Sequence, residues 1–443
     1  MLADYPSLAG LPEALLSPPD VSVRLNAAKG AVPDAGADVV PWCPQGIYLT
    51  DRPAFTFDPA LHQGLYYVQD ASSMILDYVA RRIAADKQPL RWLDACAAPG
   101  GKSTAILSAL PDGSLLVANE IVRKRAAALM ENLERWGFAN VAVTSTDTEA
   151  FTRLPDFFDV VSVDAPCSGE GMMRKEAVAV SQWSPALVQQ CAQLQREIVA
   201  NVWQSLRPGG FLVYSTCTFN PDEDERNVAW IMQELGAESV DLGLDRLPGV
   251  VGAIEGRAHC ARFLPGKVRG EGLFIAVLQK NGDSSDGNRR PKKSKKTAVK
   301  ATKPLSDWLT GDFAILPDSF RAVPAHLAPA IMQLAQEVPL LTAGIDAAAA
   351  KGRDIIPSYA LARAIDLNIS VFHTAEVDYA TAIAYLRGMP ITVPDAPRGI
   401  ILLTFRGRPL AFAKNIGTRA NNLIPDNRLI LSPHIPSTPP SIL

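Results

Sequence analysis

The chain has 443 residues, 48% hydrophobic and 20% charged, with a formal net charge of −3. That length holds two or three domains with ample core, and the charge balance excludes a uniformly basic nucleic-acid binder, so any such role must rest on how charge is distributed. The six cysteines, at 43, 96, 167, 191, 217 and 260, include no C-x-x-C pair, which argues against zinc and against a disulfide framework and suits a reducing compartment.

The first residues, MLADYPSLAG, lack a basic leader and a long apolar run, and no apolar stretch reaches the ~18 residues of a membrane span, so a cytoplasmic protein without a membrane partner is expected. Residues 1–65 are Pro-rich, with short strands expected at Val21–Asn26 and Gly46–Leu49. In the first of these, Arg24 and Asn26 alternate with apolar neighbours. This is too little for an independent core, so a small cap on the next domain is expected. Tyr66–Met74 then leads into a helix over 72–85, with Asp70 placed to cap it.

Leu90–Thr104 reads LRWLDACAAPGGKST: a short apolar strand, a turn of small residues and a helix start. Small residues let a ligand approach the backbone, where amide N–H groups and the helix dipole face it. Gly101-Lys102-Ser103 matches the end of a phosphate-binding P-loop, but Cys96 stands where its first glycine belongs. The dinucleotide fingerprint G-x-G-x-x-G is absent. Asp94, Cys96, Ala98 and Gly100, an acid followed by small residues at every second position, fit an S-adenosylmethionine turn. An ordinary strand-to-helix turn without ligand is the plain alternative.

From 90 to 280 strands alternate with helices. Strands are expected near 90–95, 114–119, 140–144, 158–163, 210–215 and 272–278, and helices near 101–110, 121–136, 186–206 and 222–235. Such alternation implies an α/β fold with a mainly parallel sheet and ligands at the strands' carboxyl ends. Glu120, about 20 residues past the glycines, sits where an acid grips ribose hydroxyls. Asp147 follows the third strand, Asp164 ends the fourth and Cys217 the fifth. Each acid alone is an ordinary cap or solvated loop residue, but polar residues at successive strand ends point to one shared site.

Cys167, in Asp164-Ala165-Pro166-Cys167, and Cys217 lie at neighbouring strand ends. A lone free cysteine is most often a small buried thiol; two thiols beside Asp164 and a cofactor turn favour a nucleophile. A methyl donor and a thiol together suit pyrimidine carbon 5, which attacks a methyl group only after a thiolate has added to carbon 6. A carboxyl group near ring nitrogen 3 would stabilise the adduct. The amine-holding loop D/N-P-P-[YF] fits less well, because Cys167 replaces its second proline and no aromatic residue follows.

Residues 281–304 are rich in Gly, Ser, Pro and Lys, and Arg289–Lys303 carries basic residues and no acid. A flexible linker is expected, either merely solvated or an arm for phosphate backbone. Residues 305–432 form a further region without a catalytic cluster, with strand-like Phe313–Leu316 and Ile400–Phe405 and a hairpin turn at Arg406–Pro409. The tail 433–443 is expected to be disordered.

DACAAPGGKS, NEIVRKR, DAPCSGEGMMRK, YSTCTFNPDEDE and GEGLFIAVL, with YYVQDASSM and the early VRLN-K element, resemble the NOL/NOP/Sun family of RNA cytosine-5 methyltransferases over about residues 20–280. KGRDIIPSYALA and NNLIPDNRLIL resemble the PUA-like RNA-binding end of the bacterial RsmF group. The resemblance implies a Rossmann-like S-adenosylmethionine-dependent methyltransferase domain over 66–280, an RNA-binding N-terminal cap over 1–65 and a C-terminal α+β PUA-like region over 305–432. It implies that Cys96, Ala97, Ala98, Pro99, Gly100, Gly101 and Lys102 line the cofactor, with Arg125 and Lys102 at basic motif positions. It further implies that Glu120 holds the ribose, Asp147 lies near the adenine and Asp164 is a site residue. Cys217 becomes the nucleophile and Cys167 the residue that releases product. A monomer acting on RNA of the small ribosomal subunit is the expectation. A methyltransferase for tRNA, protein or small molecules, and a non-catalytic ribosome-assembly factor, are the rivals.

Overall fold

In the computed structural model, residues 8–175, 177–282, 298–301, 303–352, 354–436, 438–440 and 442–443 are described. Most of the basic linker singled out above, 289–297, lies outside the described residues.

A nine-stranded sheet forms the centre. Its strands are β1 (Arg91–Asp94), β2 (Leu115–Asn119), β3 (Val141–Thr144), β4 (Phe158–Asp164), β5 (Leu206–Thr216), β6 (Ala237–Ser239), β7 (Cys260–Phe263), β8 (Leu273–Lys280) and β9 (Leu340–Ala343). They run in the order β7-β8-β5-β4-β1-β2-β3-β9, with β6 also on β8. β1 to β5 pair in parallel, while β8 and β9 add antiparallel. β2 and β3 are buried at every residue, as strands covered on both faces must be. The covering helices include α1 (Gly101–Ala109), α2 (Arg123–Trp136), α3 (Pro185–Trp203) and α4 (Glu225–Glu234). α3 starts where Ser184 accepts from the Leu187 amide at 3.2 Å and Pro185 needs no partner for its nitrogen. Strand order reverses between β1 and β4, the kind of switch point at whose carboxyl ends α/β sheets take their ligands.

Two boundaries differ from those read in the sequence. Tyr66–Val68, placed above with the central domain, pairs with Val21–Leu25 and completes a three-stranded antiparallel sheet with Gly46–Leu49. In the other direction, β9 lies within the region that was begun at 305, yet it pairs with β3. The preceding helix, Ala328–Glu337, packs Ile331 and Leu334 into the same apolar cluster as Phe151 and Val163. The C-terminal part holds a four-stranded sheet of its own, His373–Glu376, Gly399–Phe405, Arg408–Asn415 and Ala420–Asn422. The expected hairpin turn is there, with Arg406 and Gly407 both at positive φ (51° and 70°), the backbone a two-residue hairpin requires. The tail has no regular element among its described residues; Ile442 and Leu443 rest on the apolar cluster of the N-terminal sheet.

Candidate active site

The turn between β1 and α1 is built by exclusion of side chains. Gly100 adopts φ 110°, which favours glycine, and a Cβ there would stand 3.2 Å from Leu129. A Cβ on Gly101 would meet Tyr67 at 3.3 Å. The first amides of α1 have no acceptor within the helix and face the carboxyl end of the sheet. Asp94, nearly inaccessible at 2%, accepts from Ser103 Oγ at 2.6 Å, and burial raises its carboxyl to about 6. Asn119 fixes the neighbouring strand end, donating to the Ala95 and Thr146 carbonyls while its backbone carbonyl accepts from Ala97.

Glu120 follows β2 directly. It is buried, accepts from the Val122 amide at 2.9 Å and pairs with Arg125 at 3.4 Å. Arg125 also donates to the Ala98 carbonyl at 3.1 Å, which ties α2 to the turn. Asp147 is exposed beyond β3 and caps the short helix Thr148–Arg153 through the Glu149 amide. Lys102, from the first turn of α1, crosses to Asp164 at the end of β4, Nζ to Oδ2 2.8 Å. Ser215 donates to the other Asp164 oxygen at 2.9 Å. Burial works against the Lys102 ammonium, but Asp164 holds its pKa above the ordinary value.

Cys167 and Cys217 bring their sulfurs to 3.1 Å. Such a pair titrates as a unit, and its neighbours decide which member carries the negative charge. The Cys167 thiol hydrogen bond lowers Cys217 against burial, and Lys102 adds to that effect. Cys167 is pushed up by the same hydrogen bond, by burial and by Glu223. Of the two, Cys217 is the thiol whose surroundings favour the charged form. Burial instead raises the Cys96 thiol, which packs partly buried against the core under the sheet.

A buried polar lattice holds the two cysteine loops together. Glu223 accepts from the Ser168 amide at 3.0 Å, from Gln195 at 2.7 Å and from Asn220 at 2.8 Å. Gln195 also reaches the Pro166 carbonyl, and Glu170 accepts from the Phe219 amide and Trp183 Nε1. The Gly171 amide donates to the Cys217 carbonyl at 2.8 Å, and a Cβ on Gly171 would meet that oxygen at 2.7 Å. Glu170, Gln195, Asn220 and Glu223 were not singled out in the sequence. The acidic run Asp222–Glu225, in the segment after Cys217, was the signal for Glu223, since acids that become buried need internal partners.

Small residues, free helix amides and a buried acid one strand over fit S-adenosylmethionine, with its carboxylate, sulfonium and ribose. Among the described residues no group of His, Cys, Asp and Glu could hold a metal ion, and no helix is long and apolar enough to cross a membrane.

Comparison with known proteins gives three matches along the chain. The model described as 16S rRNA methyltransferase RsmB/F matches residues 83–279. An RsmF N-terminal domain matches 3–71 and a methyltransferase RsmF PUA domain matches 372–430. The ribosomal RNA small subunit methyltransferase F of Enterobacter sp. (strain 638) is 32% identical over 445 residues, covering 91% of this chain and 88% of its own. The protein of that name from Escherichia coli O139:H28 is also 32% identical, with 91% and 89% covered. Among solved structures, a methyltransferase homolog protein from Pyrococcus horikoshii is similar at TM-score 0.50 and 27% identity, covering 61% of this chain and 89% of that one. NSun6 from the same organism, solved with SFG, shares the fold at TM-score 0.51 and 21% identity, covering 64% and 98%.

Proposed function

This chain belongs to the ribosomal RNA small subunit methyltransferase F family, and on that premise we propose that it is an S-adenosylmethionine-dependent RNA (cytosine-5) methyltransferase acting on small-subunit ribosomal RNA. The observation that carries the reading is the thiol pair at 3.1 Å beside the Lys102–Asp164 bridge. The cofactor, when bound at the Cys96–Lys102 turn, supplies a methyl group on a positively charged sulfur. Glu120 holds its ribose, Arg125 braces the turn and Asp147 lies toward the adenine.

The target cytosine leaves its stack and enters between the two cysteine loops. Cys217 adds as thiolate to carbon 6, forming an S–C bond and sending the electron pair toward carbon 5. As carbon 6 is attacked, ring nitrogen 3 takes up a proton, and Asp164, oriented by Lys102 and Ser215, accepts a hydrogen bond from that N–H and stabilises the adduct. Once carbon 5 carries the methyl group, its proton passes to a base on the Cys167 side. The S–C6 bond breaks, and its electron pair returns to Cys217. The N-terminal cap and C-terminal PUA-like region grip the surrounding RNA by shape and phosphate contacts. A monomer in the cytoplasm, where thiols stay reduced, fits this chemistry.

The division of labour between the thiols is testable. Cys167→Ala should still add and transfer methyl, then stall with RNA attached through Cys217, giving a slow, RNase-sensitive band on a denaturing gel. Cys217→Ala should give none. The reverse pattern would move the nucleophile to Cys167, and no band for either variant would sink the covalent mechanism.

A further inference from the structure

The polar residues of the N-terminal strand point inward. Arg24 is wholly buried, and its hydrogen-bond partners are neutral. Nε donates to Gln69 Oε1 at 2.8 Å. One terminal nitrogen donates to Thr104 Oγ1 at 2.6 Å and reaches the Gly101 carbonyl at 3.4 Å, while the other reaches Ser108 Oγ at 3.3 Å. The guanidinium plane lies 4.4 Å from the Trp136 ring. Gly101, Thr104 and Ser108 belong to α1, whose first turn is the cofactor turn.

The next polar residues of the segment grip α2. Asn26 donates to the Trp136 and Gly64 carbonyls, both at 3.0 Å. Lys29 donates to the Arg135 and Gln63 carbonyls, both at 2.8 Å. Arg135 and Trp136 end α2, so these side chains satisfy carbonyls that the helix leaves open, while burial and the neighbouring Arg363 and Arg135 push the Lys29 ammonium well down. The other end of α2 carries Arg125, bonded to the Ala98 carbonyl and paired with Glu120. Farther along, Asn132 donates to the Pro99 carbonyl at 2.8 Å.

We propose that Arg24 is a positioning residue for the cofactor turn, and that Arg24, Asn26 and Lys29 form a brace that sets α1 and α2 from behind rather than a contact for RNA. A buried charge with neutral partners is expensive to keep. Here it holds the Gly101 carbonyl and the Thr104 hydroxyl in the turn of α1 that presents its amides to the ligand. Gln69 locks the arrangement from the other side, since its backbone pairs with Ser22 and its side chain holds Nε. Burial pulls the guanidinium down to about 10, so it stays charged across the working range.

The proposal rests on reading the Cys96–Lys102 turn as the S-adenosylmethionine site, and the test separates the two. Calorimetry with S-adenosylhomocysteine on the full-length protein should show binding to the wild type, and its absence would overturn the cofactor reading itself. Arg24→Met should weaken that binding roughly tenfold or more, the scale of a lost hydrogen bond from a charged donor. Affinity for small-subunit ribosomal RNA and its salt dependence should stay unchanged. Its kcat should recover at saturating S-adenosylmethionine, circular dichroism without ligand should show it fully folded at the assay temperature, which excludes a smaller folded fraction as the cause, and Arg24→Lys should fall between the two. If Arg24→Met does not fold, Thr104→Val, which removes only the 2.6 Å acceptor, should weaken the same binding several-fold. Full S-adenosylhomocysteine affinity in the folded variant, or lost RNA affinity with cofactor affinity kept, overturns the proposal.

Discussion

In the proposed mechanism Cys217 is activated by a neighbour that is itself a thiol, and this has a consequence for pH. The Cys167 hydrogen bond is the largest influence lowering Cys217, while burial and Asp164 push the other way. Removing the donor leaves the raising influences in place. Cys167→Ala should therefore shift the alkylation midpoint of Cys217 by iodoacetamide, read by mass spectrometry, to higher pH. An unchanged or lower midpoint would mean that Lys102 alone holds the thiolate. At Glu120, substitution by alanine should weaken S-adenosylmethionine binding by about 1.5–3 kcal/mol, the worth of a hydrogen bond to a charged group. Unchanged affinity by calorimetry would remove Glu120 from the ribose. Both cysteines and the acids at the strand ends were legible because chemistry restricts which residues can stand there. Glu223, Gln195 and Asn220 were not, because a buried polar lattice depends on which loops meet, and local spacing is silent on that.

The strands and helices explain how those loops are held. Arg262 on β7 is inaccessible to solvent and pairs with Asp224 at 3.1 Å and with Glu225 at the start of α4. Thr216, at the end of β5, donates to the other Asp224 oxygen at 2.6 Å. The segment after Cys217 is thus pinned to an antiparallel strand that carries no chemistry. Arg262→Met would leave two buried carboxylates without their cation, and should cost about 3–5 kcal/mol. A lowered urea midpoint checks this; a midpoint equal to wild type would show the carboxylates relaxing to solvent. Sequence periodicity located the central strands closely, but it started β5 at 210 rather than Leu206. Pro208 and Gly209, the latter at φ 71°, interrupt the ladder where the register with β4 shifts, so the pattern reads as a loop. Strand β9 was missed because four residues of ordinary composition become a strand only against the open edge of β3.

Across the whole molecule the terminal regions are laced to the catalytic sheet and to each other. Gln63 of the cap donates to the Phe405 and Arg408 carbonyls at 3.0 and 2.8 Å, and Arg408 returns bonds to the Lys29 and Gly30 carbonyls. Phe57 sits in the apolar core of the C-terminal sheet, and Arg428 reaches Glu131 and Glu134 on α2. The C-terminal sheet, the cap and the back of the cofactor helices are therefore one connected body, and RNA held by the outer regions would meet the cleft in a fixed register. Purified full-length protein, methyl-deuterated S-adenosylmethionine and unmodified small-subunit ribosomal RNA, followed by digestion to nucleosides and mass spectrometry, test that account at its centre. The wild type should yield labelled 5-methylcytidine and Cys217→Ala none. Label on the exocyclic nitrogen or the ribose, or undiminished 5-methylcytidine from Cys217→Ala, would contradict it.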